Sequence, residues 1–133
     1  MSHTERDRSL LALNQRLLEA AVTGDWAQYA ELCSDSLSCF EAETNGYLVE
    51  GLDFHRYYFP EQAPAQAAAG PGGTQVTMSR PHLRWLSNDA VVISYTRLVQ
   101  RQVDGTALTS CCCETRIWQQ LHGTWKLVHV HRS

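Results

Sequence analysis

The stretch Ala90-Val91-Val92-Ile93-Ser94-Tyr95-Thr96-Arg97-Leu98-Val99-Gln100-Arg101-Gln102 decides the fold class of this 133-residue chain. It is dense in β-branched and aromatic residues, which suit a pleated, half-buried surface, and it runs into Asp104-Gly105, a hairpin dipeptide. Beyond that turn Leu108 to Gln119 runs back, His122-Gly123 turns again, and Thr124 to His131 completes the meander. On the other side, Thr77 to Leu86 reaches Ala90 through the turn Ser87-Asn88-Asp89. The second half is therefore predicted to be long antiparallel strands.

The first half has a different period. Leu10, Leu11, Leu13, Leu17, Leu18 and Ala21 recur at helical spacing between Ser9 and Val22, and Gly24 supplies the left-handed residue that closes a helix. Asp25 is placed to cap a second helix, Trp26 to about Cys33, with Ser34-Asp35-Ser36 as its breaker. Leu37 to Glu41 and Tyr47 to Val49 are predicted as short strands around Asn45-Gly46, and Phe54 to about Phe59 as a third helix that Pro60 helps to stop. Glu61 to Gly73, rich in Ala, Pro, Gln and Gly, is expected to be a loop and the most mobile internal segment.

Helices gathered on one face of a curved antiparallel sheet make an α+β domain, here one domain over 1–133. A curved sheet wrapped on a helix leaves a cone with a pocket inside, where ligands tend to sit. Apolar residues at 44% and charged residues at 19% are ordinary for a globular chain and argue against disorder. A formal charge of -3 gives no basic footprint for nucleic acid, and no apolar run approaches the roughly 18 residues of a membrane span. The mixed-charge N-terminus, Met1 to Arg8, is not followed by a signal-type cleavage site, so a cytoplasmic location is expected.

The five cysteines, Cys33, Cys39 and the run Cys111, Cys112, Cys113, are odd in number and are expected to be reduced. Successive strand residues point to opposite faces, so the run is a poor zinc cage, and its members are expected to pack as small apolar side chains. His129 and His131 share a strand face opposite Arg132 without a further ligand of matching spacing, and are expected to serve packing or an interface. Trp85, Trp118 and Trp125 are expected as core and interface anchors. No metal and no cofactor is expected.

Arg97, Arg116 and Arg132 fall in three consecutive strands. Strand parity puts Arg97 with Val91, Ile93 and Tyr95, Arg116 with Cys112, Glu114 and Trp118, and Arg132 with Val128 and Val130. A guanidinium among apolar walls costs several kcal/mol unless an anion or hydrogen-bond partner compensates it. Converging arginines would form an anion site suited to a carboxylate. The alternative is that each is solvated or pairs with a structural acid such as Glu114 or Glu50, and parity leaves both open.

Three stretches resemble the association (hub) domain of calcium/calmodulin-dependent protein kinase II. They are Asn45-Gly46-Tyr47-Leu48-Val49-Glu50-Gly51-Leu52-Asp53-Phe54-His55-Arg56-Tyr57-Tyr58-Phe59, Glu114-Thr115-Arg116-Ile117-Trp118, and His122-Gly123-Thr124-Trp125-Lys126-Leu127-Val128-His129-Val130-His131-Arg132-Ser133. The resemblance runs from about Leu11 to Ser133. It implies the nuclear transport factor 2-like (SnoaL-like, cystatin-like) cone and self-assembly of stacked dimers into a ring of a dozen or more chains. It implies a kinase or other hub-bearing chain as a further partner. It also implies a pocket for a small carboxylate, whose arginines match Arg97, Arg116 and Arg132 and whose histidine matches His55. Tyr95 and Glu114 complete the expected ligand-binding set.

The chain departs from the family's pattern in several places. Glycine-rich loop, catalytic-loop and calmodulin-binding signatures are missing, so the expectation is a hub without its kinase and no phosphotransfer. The stretch Pro60 to Gly73 lacks the bulky residue that relatives carry near Ala63, and Cys112 and Cys113 stand where relatives are polar or acidic. Three functions compete: a ring scaffold, a sensor of small acids, and a cone-fold isomerase, cyclase or hydrolase. The last would draw its acid or base from His55, Tyr95 or Glu114, with no residue assigned as catalytic.

Overall fold

The computed structural model describes residues 3–56, 59 and 73–133. Helix α1 (Glu5–Thr23) starts four residues earlier than its apolar stripe suggests, because Thr4 and Asp7 form a capping box. The Thr4 hydroxyl accepts from the Asp7 N–H at 3.2 Å, and the Asp7 carboxylate accepts from the Thr4 N–H at 3.0 Å. Gly24, at φ +76°, ends the helix, and the Asp25 carboxylate, accepting from the Gln28 N–H at 3.1 Å, starts α2 (Trp26–Leu32).

Strand β1 (Cys33–Phe40) follows without a gap, so Ser34-Asp35-Ser36 is not a break but part of the strand. β1 lies parallel to the C-terminal strand, pairing at Cys33 and again at Ser38 to Phe40, and Ser34-Asp35-Ser36 fall in the irregularity between those pairings, with Leu37 and Cys39 buried. A 3-10 turn (Ala42–Thr44) and left-handed Asn45 and Gly46 then lead to a two-residue β2 (Val49–Glu50), antiparallel to β1. Tyr47 and Leu48 therefore lie outside the strand expected for them. Helix α3 (Asp53–Arg56) follows. The rest of the expected third helix at Tyr57 and Tyr58, and the expected loop apart from Gly73, lie outside the described residues.

Strands β3 (Gln75–Ser87), β4 (Ala90–Val103), β5 (Thr106–Leu121) and β6 (Thr124–Arg132) form the long meander. The sheet has the order β2-β1-β6-β5-β4-β3, antiparallel except at the β1–β6 contact. The β4–β5 and β5–β6 turns each set two left-handed residues in line, Asp104 (φ +51°) with Gly105 (φ +77°) and His122 (φ +53°) with Gly123 (φ +80°). That backbone twist matches the twist of the flanking strands. At the outer edge, Arg80 (φ +54°) and Pro81 sit where the β3–β4 register shifts, a bulge that bends the strand where proline is tolerated.

The core lies between the helices and the inner face of the sheet. Leu10, Leu17 and Leu18 of α1 meet Val91, Ile93, Tyr95, Val99, Trp118 and Leu127, and each fully buried aliphatic contributes about 1.5–3 kcal/mol. One assignment by parity fails: a register shift between Ile117 and Trp118 pairs Trp118 with Leu127, so Leu127 rather than Val128 shares the inner face with Val130 and Arg132. Among the described residues no helix is long and apolar enough to cross a membrane.

Candidate functional site

Beside the C-terminal end of α1, the inner side of the sheet holds a cavity of about 520 Å³. Ala21, Val22, Tyr29, Phe59 and Thr74 line one side, and Arg97, Arg101, Arg116 and Arg132 the other, with Glu41, Glu43 and His55 between them. The three arginines singled out by strand parity thus share one cavity with His55. Arg101 joins them because it lies two strand periods from Arg97 on β4, a signal of the same kind that went unused.

The arginines do not wait there bare. Glu114, whose side chain is fully buried, stands between Arg97 (Nη1 at 3.4 Å from Oε2) and Arg116 (Nε at 3.2 Å from Oε1). The Tyr95 hydroxyl donates to Glu114 Oε1 at 2.6 Å and accepts from Arg116 Nε and Asn14 Nδ2, both at 3.0 Å. Asn14 in turn accepts from Trp118 Nε1 at 2.9 Å. Asn14, absent from the expected set and fully buried, is therefore the residue that ties α1 to the site; its sequence signal was an asparagine on the apolar stripe, four residues from both Leu10 and Leu18.

Burial alone would raise the Glu114 pKa, but Arg116, the Tyr95 hydrogen bond and Arg97 together hold it below its ordinary value. Burial likewise opposes the charge of Arg116, and Glu114 with Tyr95 and Tyr29 outweighs it. Burial pushes the Tyr95 hydroxyl up to about 12. With its proton donated and both lone pairs in use, Tyr95 is poorly placed to act as an acid or base. Glu114, held ionised by two guanidiniums, lacks the raised pKa that such work asks for.

Arg132 is paired with Glu43 (2.7 Å) and more loosely with Glu41 (3.7 Å). Glu50, one of the two acids considered as an arginine partner, is exposed on β2. Arg116 Nη1, Arg97 Nε and Glu114 Oε2 are buried without a hydrogen-bond partner among the described residues, though Oε2 keeps its ion pair with Arg97. His55 is buried on α3, its Nδ1 at 2.9 Å from the Tyr29 hydroxyl. Burial lowers its pKa, and Glu41 opposes that only in part.

The cysteine run behaves differently from the packing expected of it. Cys111 and Cys113 are exposed and only Cys112 is partly covered, because the outer end of β5 extends beyond the last residues of β6. Cys33 and Cys39 are the buried pair. Donor atoms of Cys39, Glu41 and His55 lie within 4.8 Å of one another and could hold a metal ion. On the outer face His129 bonds Ser38 at 2.7 Å and His131 packs on Phe40, in line with a packing role. Trp118 is fully buried, and Trp85 meets Trp125 edge to face at 5.8 Å.

The family model of the calcium/calmodulin-dependent protein kinase II association domain matches residues 6–133. The chain is similar to the CaMKII hub homology domain of Chlamydomonas reinhardtii, with 44% identity over 98% of each chain and a TM-score of 0.86. It is similar to the association domain of C. elegans CaMKII, with 34% identity, covering 96% of this chain and 95% of that one at a TM-score of 0.82. An NTF2-like protein from Cytophaga hutchinsonii, 20% identical over 98% of each chain with a TM-score of 0.70, shares the nuclear transport factor 2-like fold.

Proposed function

Because the chain belongs to the calcium/calmodulin-dependent protein kinase II association-domain family, we propose that it is an assembly module whose copies pair and stack into a closed ring. The observation that carries this is the extent of the match, residues 6–133, which takes in every strand and all three α-helices among the described residues. The outer face of the sheet supports it. Val92, Leu98 and Ile117 are half-buried there, and among the described residues no helix packs over them, since the helices occupy the inner face. The β4–β5 ribbon also carries the exposed Val103 and Leu108 past the ends of its neighbours. Such a module, working in the cytoplasm, would gather identical chains or a hub-bearing kinase. Light scattering on the wild type and on Ile117→Glu tests this: the wild type should elute as a large closed assembly and the variant as dimers or monomers. Equal masses for the two would remove this face from the interface.

The cavity is proposed to take a small organic acid. Among the described residues, four guanidiniums (Arg97, Arg101, Arg116, Arg132) face three carboxylates (Glu41, Glu43, Glu114), which leaves one positive charge for a monoanion. Arg97 and Arg132, whose side chains are 20% and 23% exposed, line the cavity and offer the N–H groups that such an anion would accept. A short hydroxy- or keto-acid at about 100 times its dissociation constant should then stabilise the fold by about 2.7 kcal/mol. Arg97→Ala should abolish that gain, and an equal gain in both proteins would refute the pocket.

A further inference from the structure

We propose that Cys39, Glu41 and His55 form a binding site for a divalent transition metal of the zinc class, with its open position facing the cavity. The three side chains are buried, at 1%, 9% and 1% exposure, and their donor atoms lie within 4.8 Å of one another. Thiolate, carboxylate and imidazole are the ligand types zinc prefers, and three protein ligands with one vacancy is the pattern of its reactive sites. In a tetrahedral site the donors stand about 3.3–3.6 Å apart, so the cluster needs to close by about 1 Å.

The fold presents the three donors in an orderly way. Cys39 and Glu41 are two residues apart, so the strand direction turns both toward the inside of the cone. His55 comes from α3, and the Tyr29 hydroxyl, 2.9 Å from its Nδ1, holds the ring, so that Nε2 is the nitrogen assigned as the metal donor. Glu41 and His55 line the cavity, so a bound ion would be reached from it.

The neighbouring cations have acids of their own. Arg116 is neutralised by Glu114, and Arg132 binds Glu43 at 2.7 Å while standing 3.7 Å from Glu41 Oε2. A carboxylate has two oxygens, so Glu41 can keep Arg132 on one and turn the other to the metal. Binding releases the Cys39 thiol proton to solvent, and the ion and the arginines together would favour an anionic fourth ligand, such as a small acid that chelates through two oxygens. The metal site itself does not depend on that acid.

Cobalt(II) titration of the reduced protein tests the site, with Cys111, Cys112 and Cys113 exchanged for serine to remove the exposed thiols. One equivalent per chain should bring up a thiolate-to-cobalt charge-transfer band and the absorption of a four-coordinate ion, and zinc should displace it. Cys39→Ser should lose the band, and Tyr29→Phe should weaken binding by about 10–100-fold. Absence of the band at one equivalent overturns the proposal, as does its survival in Cys39→Ser. His55→Gln keeps the thiolate and so stands in if the serine variant fails to fold. It must weaken cobalt binding at least tenfold, and unchanged affinity also overturns the proposal.

Discussion

Exchanging Glu114 for glutamine leaves the volume of the site unchanged and removes the one negative charge between two guanidiniums. The Arg116 side chain is 5% exposed and that of Glu114 fully buried, so water cannot replace the lost partner. Breaking a buried pair by removing one member costs about 3–5 kcal/mol, most of it the penalty of the charge left behind. Arg116 still reaches the Tyr95 hydroxyl at 3.0 Å, and Arg97, at 20% exposure, can turn to solvent. Both considerations place the loss at the lower end, about 3 kcal/mol. For a chain of this length that lowers the melting temperature by about 10–15 °C. Calorimetry at pH 7 and one fixed chain concentration is the assay, because assembly makes melting concentration-dependent. The reasoning has a second arm: adding Arg116→Met removes the orphaned charge, so the double variant should recover more than half of the loss. A single variant melting within about 3 °C of the wild type, or a double variant worse than the single, would refute it.

The same carboxylate sets an acid limit. Its folded pKa lies below the ordinary 4.5, so its contribution is fully present above that value and is lost as pH falls through the folded pKa. Melting of the wild type should therefore fall on acidification below about pH 4.5, and Glu114→Gln should show a shallower decline over the same range; parallel curves would contradict this. Asn14→Leu should cost about 1–3 kcal/mol in urea unfolding, since it orphans the buried Trp118 N–H while Tyr95 keeps Glu114 and Arg116. A neutral Asn14→Leu would mean that Trp118 finds another acceptor.

Much of this molecule is legible in its sequence because the period-2 pattern is strong where the sheet is half buried. Ile93, Tyr95 and Arg97 alternate with Ser94 and Thr96, and parity puts Arg97 on the same face as Val91, Ile93 and Tyr95. The Asp104-Gly105 and His122-Gly123 turns then fix the register of β4, β5 and β6, and with it the company of Arg116. What stayed hidden depends on contacts distant in the chain. Nothing local marks the parallel seam between β1 and β6, which pairs Cys33 and Ser38 to Phe40 on either side of Ser34-Asp35-Ser36. A single register shift near Trp118 moves Leu127 into the core in place of Val128. Glu41 and Glu43 become partners of Arg132 only because a 3-10 turn carries them to the mouth of the cavity. The internal acids change the meaning of the arginines, from an open anion trap to a cluster in which Glu114 already holds Arg97 and Arg116, and Glu41 and Glu43 hold Arg132.

Assembly is the central claim, and native mass spectrometry of the full chain tests it most directly. A chain of 15.0 kDa that builds a ring of stacked dimers should appear as an even multiple of that mass, with a dozen or more copies and little monomer at micromolar concentration. A species at 15.0 kDa dominating under those conditions would contradict the account.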